Sequence, residues 1–253
     1  MSELAGLLFD VDGTLADTER DGHRIAFNRA FAEAGLDWSW SVELYGKLLA
    51  VTGGKERIRY FLDCFDHKFE HPADLDGFIT GLHKAKTRIY TDMLARGLIP
   101  LRPGVARFIR EARAAGLRLA VATTTTPENV TTLLQHALDP TAASWFEVIA
   151  AGDIVPAKKP APDIYLWAME RMGLSPTQCM AFEDSQNGIR ASLGAGLRTI
   201  VSVSSYTQNE DFTGASLVVD HWGEPNQPFE VLAGDAGPNR YLDLQLVRRL
   251  HAA

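Results

Sequence analysis

Two aspartates separated by one residue stand in the segment Phe9-Asp10-Val11-Asp12-Gly13-Thr14-Leu15, directly after the short apolar run Leu7-Leu8-Phe9. Such a run predicts a buried strand, and in doubly wound sheets ligands and catalytic groups gather where strands end. Gly13 permits a tight turn, which would let the carboxylates of Asp10 and Asp12 converge on one point. Taken alone, the segment is also typical of an exposed Asp-x-Asp-Gly loop that binds a cation.

A run of four threonines, Thr123–Thr126, follows the apolar run Leu117–Ala122 and precedes Pro127 at the start of a predicted helix. Hydroxyls and backbone N–H groups at a strand-to-helix junction suit phosphate oxygens. The same residues would also serve to extend the strand and then cap the helix. The threonines therefore indicate a phosphate site only in the company of other polar groups.

Two further segments bring charge to the same kind of position. Lys158-Lys159-Pro160-Ala161-Pro162-Asp163 delivers an ammonium group before a helix that begins at proline. Glu183-Asp184-Ser185 follows the run Met180-Ala181-Phe182, and its acidic pair is either a helix N-cap or a metal site whose hard oxygen ligands suit Mg²⁺. Four segments thus supply carboxylates, hydroxyls, an ammonium group and further carboxylates.

Short apolar runs bounded by glycine or polar residues predict the strands that position these groups. We assign buried parallel strands to Leu7–Phe9, Leu117–Ala122 and Arg198–Val203, with further candidates at Phe146–Ala150, Met180–Phe182 and Leu217–Val219. Amphipathic stretches predict helices at Val105–Ala115, Glu128–Ala137, Pro162–Met172, Gly188–Leu193 and Tyr241–His251, with a loop at Gly234–Pro238. This alternation predicts an α/β fold with a doubly wound, Rossmann-like parallel sheet.

Residues 17–97 break the alternation, because helical periodicity recurs there without a convincing strand. Arg24–Ala34 carries apolar residues at helical spacing, and so do the stretches from Ile58 to Phe65 and from Phe78 to Leu94. We therefore predict a small all-helical domain of residues 17–97, inserted after the first strand of a core domain that comprises residues 1–16 and 98–253.

The composition limits the partners of the chain. Its 253 residues include 25 lysines and arginines against 32 acidic residues, a formal net charge of −7. An acidic chain without a basic block is a poor candidate for binding nucleic acid or anionic membranes. Cys64 and Cys179 make neither a disulfide framework nor a metal-ligand pattern, and the sequence has no signal-peptide pattern or bilayer-length apolar run. We expect a cytoplasmic monomer with no nucleic-acid or membrane partner.

The order and spacing of the four polar segments resemble the haloacid dehalogenase superfamily across the whole predicted core. The resemblance implies that Asp10 attacks phosphorus and carries an aspartyl-phosphate. It also implies that Asp12 protonates the leaving alkoxide and then activates water. Resembling dehalogenases lack an aspartate at the position of Asp12, because a halide leaves without a proton, and the P-type ATPase pattern Asp-Lys-Thr-Gly-Thr is absent here. We therefore expect phosphoryl transfer.

The same resemblance implies roles for the remaining core segments. Thr123 and the backbone at Thr124 would hold phosphate oxygens, and Lys159 would neutralise charge on the nucleophile and on the transferring group. Asp184, with Glu183 directly or through water, would complete a metal site. The implied catalytic residues are Asp10, Asp12, Thr123 and Lys159, and the implied ligands of the cofactor Mg²⁺ are Asp10, Asp12, Glu183 and Asp184.

The predicted insert resembles the small helical cap of the superfamily's phosphoglucomutase-like and sugar-phosphatase branch, which implies a role in substrate specificity. Glu19 stands at the predicted hinge, and three residues separate it from His23, one more than in the β-phosphoglucomutase branch. His23 is therefore either a substrate contact or an ordinary helix residue. Thr52-Gly53-Gly54-Lys55-Glu56-Arg57 opens another helix with glycines and two cations. This segment fits a second anion site that would clamp a bisphosphate on cap closure, or an exposed helix N-terminus whose charges pair with Glu56.

Together these segments, with Asp17-Thr18-Glu19 and Ala26-Phe27-Asn28, are similar to the CbbY-like group, whose members dephosphorylate xylulose-1,5-bisphosphate. The resemblance implies sugar or phosphate contacts from Glu19, His23, Gly53, Gly54, Lys55, Arg57, Thr124, Thr125 and Thr126. We therefore expect a Mg²⁺-dependent phosphatase whose partner is a phosphorylated sugar. The alternatives are a sugar phosphomutase, which keeps water from its phosphoenzyme, and a phospho-acceptor signalling module, which needs neither Asp12 as a proton shuttle nor an insert of this size.

Overall fold

The computed structural model describes residues 3–51, 53–66 and 68–253, which form two units. The sheet unit consists of the chain up to Asp17 together with Ile99–Ala253, and the helical unit is Thr18–Leu98. Within the described residues, the helices lack the length and apolar character that a membrane span requires.

Among the described residues, seven strands make one sheet in the sheet unit. They are β1 (Gly6–Phe9), β2 (Arg118–Ala122), β3 (Phe146–Ala150), β4 (Cys179–Glu183), β5 (Arg198–Ser202), β6 (Leu217–Val219) and β7 (Val231–Gly234). Their spatial order is β3-β2-β1-β4-β5-β6-β7, and the first six strands run parallel. The predicted doubly wound fold is thus confirmed.

Strand β7 corrects the sequence-based prediction in two respects. It pairs antiparallel with β6, so the sheet is not purely parallel, and its last residue, Gly234, falls in the segment predicted to be a loop. Every residue of β7 is exposed, including Val231 and Leu232. Because apolar runs predict strands through burial, an exposed edge strand of four residues leaves little signal.

The order of the strands places a switch point beside β1. The chain leaves β1 toward β2 and β3 and then crosses to β4 on the other side, and ligands of such sheets bind where the order reverses. Phe9 in β1 lies level with Phe182 in β4, and their rings stack 4.8 Å apart with Trp222 packed beside them. The residues that follow, Asp10 and Glu183, therefore emerge side by side at the switch point.

The helical unit contains four α-helices among its described residues. They are α1 (Arg24–Glu33), α2 (Val42–Leu48), α3 (Gly54–Cys64) and α4 (Leu75–Ala95), and a six-residue π-helical turn, Thr18–His23, precedes them. Three of them match the predicted periodic stretches. The short α2 was not predicted, since only Tyr45 and Leu48 of its seven residues are buried. Aromatic rings fill the core of this unit, among them Phe27, Phe31, Trp38, Trp40 and Phe61.

Five helices cover the sheet within the described residues. They are α5 (Val105–Ala114), α6 (Pro127–Ala137), α7 (Asp163–Met172), α8 (Gln186–Gly194) and α9 (Leu244–Ala252). The N-cap of α8 is Ser185, whose hydroxyl accepts the Gly188 N–H at 3.1 Å. The sequence allowed the acidic pair Glu183-Asp184 to be the N-cap of this helix. Ser185 caps the helix instead, which leaves the carboxylates of Glu183 and Asp184 for other contacts.

Candidate active site

Asp10 stands directly after β1 with a buried carboxylate. Its backbone N–H donates to the Phe182 carbonyl at 3.0 Å, which continues the pairing of β1 with β4 for one residue. The Thr14 hydroxyl donates to Asp10 Oδ2 at 3.1 Å. The exposed Asp-x-Asp-Gly loop considered above is therefore not what the structure contains at Asp10, whose residue exposure is 6%.

Lys159 joins Asp10 to Glu183. Its Nζ donates to Asp10 Oδ1 at 2.7 Å and to Glu183 Oε1 at 2.6 Å, and the Lys159 side chain is only 7% exposed. Burial alone would lower the pKa of Lys159, but the two carboxylates raise it above its ordinary value. Lys159 is therefore a charged ammonium group at neutral pH, held between two buried carboxylates.

Three carboxylates at this edge form a cluster suited to a cation. Oxygens of Asp10, Glu183 and Asp184 all lie within 4.8 Å of one another, and all three residues are buried. Burial, followed by the negative charges of Asp10 and Glu183, raises the pKa of Asp184 well above its usual range. When all three carboxyl groups are ionised, Lys159 balances one of their three charges, and a divalent cation would balance the other two. Hard carboxylate oxygens are the ligands that divalent cations such as Mg²⁺ and Ca²⁺ take in proteins.

The loop after β1 carries Asp12, two residues beyond Asp10. Gly13 has a φ of 89°, and a Cβ atom there would overlap the Asp184 carboxylate. The Gly13 N–H donates to the Ala16 carbonyl at 2.7 Å, which closes the loop. Asp12 is half-buried and directly precedes Gly13 in this loop. A side chain at position 13 would therefore displace either the loop or the Asp184 carboxylate.

The predicted threonines follow β2 at the same edge of the sheet. Thr123 is fully buried, and its backbone N–H donates to the Ala150 carbonyl at 2.9 Å. Thr126 caps α6, with its hydroxyl accepting the Asn129 N–H at 3.4 Å. Thr124 and Thr125 lie between the buried strand end and this cap. The segment thus extends the strand and caps the helix, while the hydroxyl of Thr126 is already engaged.

Tyr165 is a residue of this site that the sequence analysis did not identify. It lies on the buried face of α7 and donates its hydroxyl to Glu183 Oε1 at 2.5 Å, the oxygen that also accepts from Lys159. Its burial and the nearby negative charge of Glu183 raise the pKa of Tyr165 well above its ordinary value. A tyrosine among Ile164, Ala168 and other apolar residues of one helix face was the available signal, because a buried hydroxyl requires a partner.

In the helical unit, Glu19 is held by two residues of other helices. The Tyr45 hydroxyl donates to Glu19 Oε2 at 2.5 Å, and Arg57 NH1 lies 3.7 Å from the same oxygen. Arg57 also donates to the Tyr45 hydroxyl at 2.7 Å and to the Val51 carbonyl at 3.4 Å. Glu19, Tyr45 and Arg57 thus form a connected polar cluster, of which Tyr45 was not predicted.

The structure does not bring Lys55 and Arg57 together as a pair of cations. Lys55 is exposed, whereas Arg57 is 8% exposed and bound to Tyr45, because residues two apart on a helix point to nearly opposite sides. Gly53, with a φ of 97°, stands at the N-cap of α3, and a Cβ atom at Gly54 would collide with the His83 ring. Thr52 lies outside the described residues.

His23 is bound to Lys86 of α4. Its Nδ1 lies 2.9 Å from Lys86 Nζ, and its ring packs 4.0 Å from that of Tyr90. Burial, followed by the positive charges of Lys86 and Arg57, lowers the pKa of His23 well below its usual range. His23 is therefore neutral at physiological pH, and its Nδ1 accepts a hydrogen bond from the Lys86 ammonium.

Known proteins with the same fold and sequence pattern define the family. The profile of haloacid dehalogenase-like hydrolases matches residues 4–196. The CbbY protein of Cupriavidus necator is 45% identical over 248 residues, 98% of this chain and 97% of that protein. A crystal structure of CbbY from Rhodobacter sphaeroides with phosphate has a TM-score of 0.72 and 50% identity, over 87% of this chain and 96% of that one. A mutant of that protein in complex with xylulose-1,5-bisphosphate has a TM-score of 0.72 and 49% identity, over the same shares of the two chains.

The chain therefore belongs to the haloacid dehalogenase-like hydrolase family. Within the family it is a phosphatase of the CbbY type, which confirms the enzyme class expected from Asp10 and Asp12. Hydrolases of this superfamily use a divalent metal ion, in agreement with the buried acidic cluster of Asp10, Glu183 and Asp184.

Proposed function

We propose that this protein hydrolyses xylulose-1,5-bisphosphate or a similar sugar phosphate with the help of Mg²⁺, through an aspartyl-phosphate on Asp10. The observation that carries the proposal is the buried cluster at the switch point, in which Lys159 Nζ lies 2.7 Å from Asp10 Oδ1 and 2.6 Å from Glu183 Oε1. The CbbY structure that contains xylulose-1,5-bisphosphate supports the choice of substrate.

In the first step, an Asp10 oxygen would form a bond to phosphorus while the bond from phosphorus to the sugar oxygen breaks. A carboxylate approaching a phosphate dianion meets strong repulsion, which the Lys159 ammonium reduces. At a separation of about 4 Å and an effective dielectric constant of about 20, the attraction between two opposite unit charges is worth about 4 kcal/mol. That energy corresponds to roughly three orders of magnitude in rate.

Asp12 would transfer the protons of both steps. Its carboxyl group would first protonate the leaving sugar oxygen, and the resulting carboxylate would then take a proton from a water molecule. That water would attack the phosphorus of the aspartyl-phosphate, so that inorganic phosphate leaves and Asp10 is regenerated. Thr123 and the N–H of Thr124, at the end of β2, would bind the phosphoryl oxygens during both steps.

Four residues are proposed to hold the metal ion: Asp10, Glu183 and Asp184 through side chains, and Asp12 through its carbonyl. When bound, Mg²⁺ would supply positive charge against the phosphoryl oxygens. The Thr14 hydroxyl on Asp10 and the Tyr165 hydroxyl on Glu183 would keep their carboxylates in place with or without the ion.

The helical unit is proposed to select the sugar. The Glu19 carboxylate is fixed by Tyr45 and Arg57 and would bind a sugar hydroxyl. The exposed Lys55 ammonium and the N–H groups at Gly53 and Gly54 would attract a second phosphate. From the net charge of −7 we further propose that the protein has no nucleic-acid or membrane partner. From its two cysteines, which make no disulfide framework, we propose a cytoplasmic location, and we propose that the protein is a monomer.

The test is a release assay with a panel of sugar phosphates that includes xylulose-1,5-bisphosphate, with Mg²⁺ and with a chelator. We expect free phosphate from the wild type with Mg²⁺, none from Asp10→Asn, and full release from Asp153→Asn, a matched change at an exposed ion pair with Lys158. Isomerised sugar without free phosphate would instead identify a mutase. A stable phosphoprotein without turnover would identify a phospho-acceptor module.

A further inference from the structure

The guanidinium of Arg102 connects three segments of the sheet unit. It donates to four backbone carbonyls: NH1 to Gly13 and, at 2.9 Å, to Ser202, and NH2 to Val203 at 2.5 Å and Asp220 at 2.6 Å. These carbonyls belong to the loop after β1, the end of β5 and the end of β6. One side chain therefore ties together three strand ends at the edge that carries the candidate active site.

Two of these carbonyls lie next to residues of the site. Gly13 directly follows Asp12, and Arg102 also donates its own backbone N–H to the Leu15 carbonyl at 2.9 Å, so it holds the Asp12 loop at two points. On the other side, Val203 precedes Ser204, a buried residue whose side chain is near enough to Asp184 to lower the pKa of that carboxyl group.

We propose that Arg102 is a positioning residue, which fixes the loop of Asp12 and the segment beside Asp184 in the geometry that proton transfer requires. The inference rests on the proposed function, since it assumes that Asp12 transfers protons in both steps. A guanidinium presents several N–H donors in a rigid planar fork, whereas a lysine ammonium is a compact group on a flexible stem. Arg102→Lys therefore keeps the charge but cannot reproduce the set of four carbonyl contacts.

Arg107 offers a matched control in the same unit. Its guanidinium also binds backbone carbonyls, those of Gly223 at 2.9 Å and Leu242 at 2.8 Å, and it stacks on the Tyr241 ring. Its remaining described hydrogen bonds, to Glu224 and Glu111, do not involve the loop of Asp12. Arg107→Lys should thus lower the melting temperature by an amount similar to Arg102→Lys without changing catalysis.

The experiment measures kcat, KM and phosphoenzyme with xylulose-1,5-bisphosphate and Mg²⁺. For Arg102→Lys we expect kcat to fall by about 10- to 100-fold, the cost of a small misplacement of a catalytic group, with KM changed by less than about two-fold. We also expect rapid quenching to show accumulated phosphoenzyme, since Asp12 acts again in the second step. In Arg102→Ala, added methylguanidinium should restore part of kcat, while methylammonium should not. Unchanged kcat in Arg102→Lys, or a loss equal to that in Arg107→Lys, would overturn the proposal.

Amide hydrogen exchange tests the same contact without turnover. The Gly13, Leu15 and Ala16 N–H groups are bound within the loop, to the carbonyls of Ala16 and Val11. Their exchange should accelerate at least about 10-fold in Arg102→Lys and stay as in the wild type in Arg107→Lys. If the wild type releases no phosphate, the proposed function fails, whereas unaltered exchange in Arg102→Lys rejects the positioning role.

Discussion

Replacing Lys159 with methionine would remove the ammonium group between Asp10 and Glu183 while preserving the length of an unbranched side chain. The Lys159 side chain is 7% exposed, and its carboxylate partners are 9% and 1% exposed. Water therefore cannot replace the missing positive charge, and two buried carboxylates would face each other and Asp184 without it.

The size of the effect follows from this burial. Removing one partner of a buried ion pair destabilises a protein by about 3–5 kcal/mol, because an uncompensated buried charge is left behind. Lys159 has two such partners, so we expect Lys159→Met to reach at least the lower part of this range. The neighbouring Lys158 pairs with Asp153 at 2.8 Å, but both side chains are more than half exposed. Lys158→Met should therefore change stability by less than about 0.5 kcal/mol.

The assay is urea denaturation of the wild type and of both variants in the presence of a chelator. We expect a large loss of unfolding free energy for Lys159→Met and a negligible one for Lys158→Met. A Lys159→Met protein as stable as Lys158→Met would instead show that the charge of Lys159 does not balance the carboxylate cluster.

Three further predictions concern other polar contacts. Burial and nearby cations lower the pKa of His23 in the folded protein. Below about pH 6.5 the unfolded chain therefore binds a proton at His23 that the folded protein does not, and the free energy of unfolding should fall as the pH drops. In urea titrations between about pH 5 and 8, His23→Gln should weaken the dependence of the unfolding free energy on pH, whereas the control His136→Gln, at an exposed site, should leave it unchanged. The same dependence on pH in both variants would contradict this prediction. Arg57→Ala should lower the free energy of unfolding by about 1.5–3 kcal/mol, because it removes contacts with Tyr45 and Glu19. The control Lys55→Ala should lower it by less than about 0.5 kcal/mol. Similar losses of stability for the two variants in thermal melts would contradict this prediction. Tyr165→Phe should lower the free energy of unfolding in urea by about 1–3 kcal/mol, because Glu183 loses a buried hydrogen-bond donor. An unchanged free energy of unfolding would show that the hydroxyl does not stabilise the fold.

The carboxylates and the threonines of the site could be predicted from the sequence because they lie at or directly after the ends of strands. Asp10 and Glu183 end neighbouring strands, and Phe9 and Phe182 before them carry the apolar signal that reveals those strands. Once the doubly wound order is known, the two carboxylates must emerge side by side. The direct contact of Lys159 with both of them required the fold, since Lys159 lies 149 positions after Asp10 in the chain.

The helical unit was harder to predict, because no strand end fixes where its polar side chains point. Lys55 and Arg57 look like a pair in the sequence, yet the turn of α3 exposes one and buries the other. Tyr45 lies in the short helix α2, which the periodicity did not reveal. The extra residue between Glu19 and His23 falls in the π-helical turn Thr18–His23, a wider turn that accommodates an added residue in a helix.

The proposed function depends on a covalent bond between Asp10 and phosphorus. Trapping this aspartyl-phosphate is the most direct test of that bond. Wild-type and Asp12→Asn proteins would be mixed with xylulose-1,5-bisphosphate and Mg²⁺, quenched in acid within milliseconds and digested for peptide mass spectrometry. We expect a phosphorylated peptide with the modification on Asp10, present briefly in the wild type and persistent in Asp12→Asn. Phosphate on any other residue, or turnover by the wild type with no covalent phosphate at any quench time, would contradict this expectation.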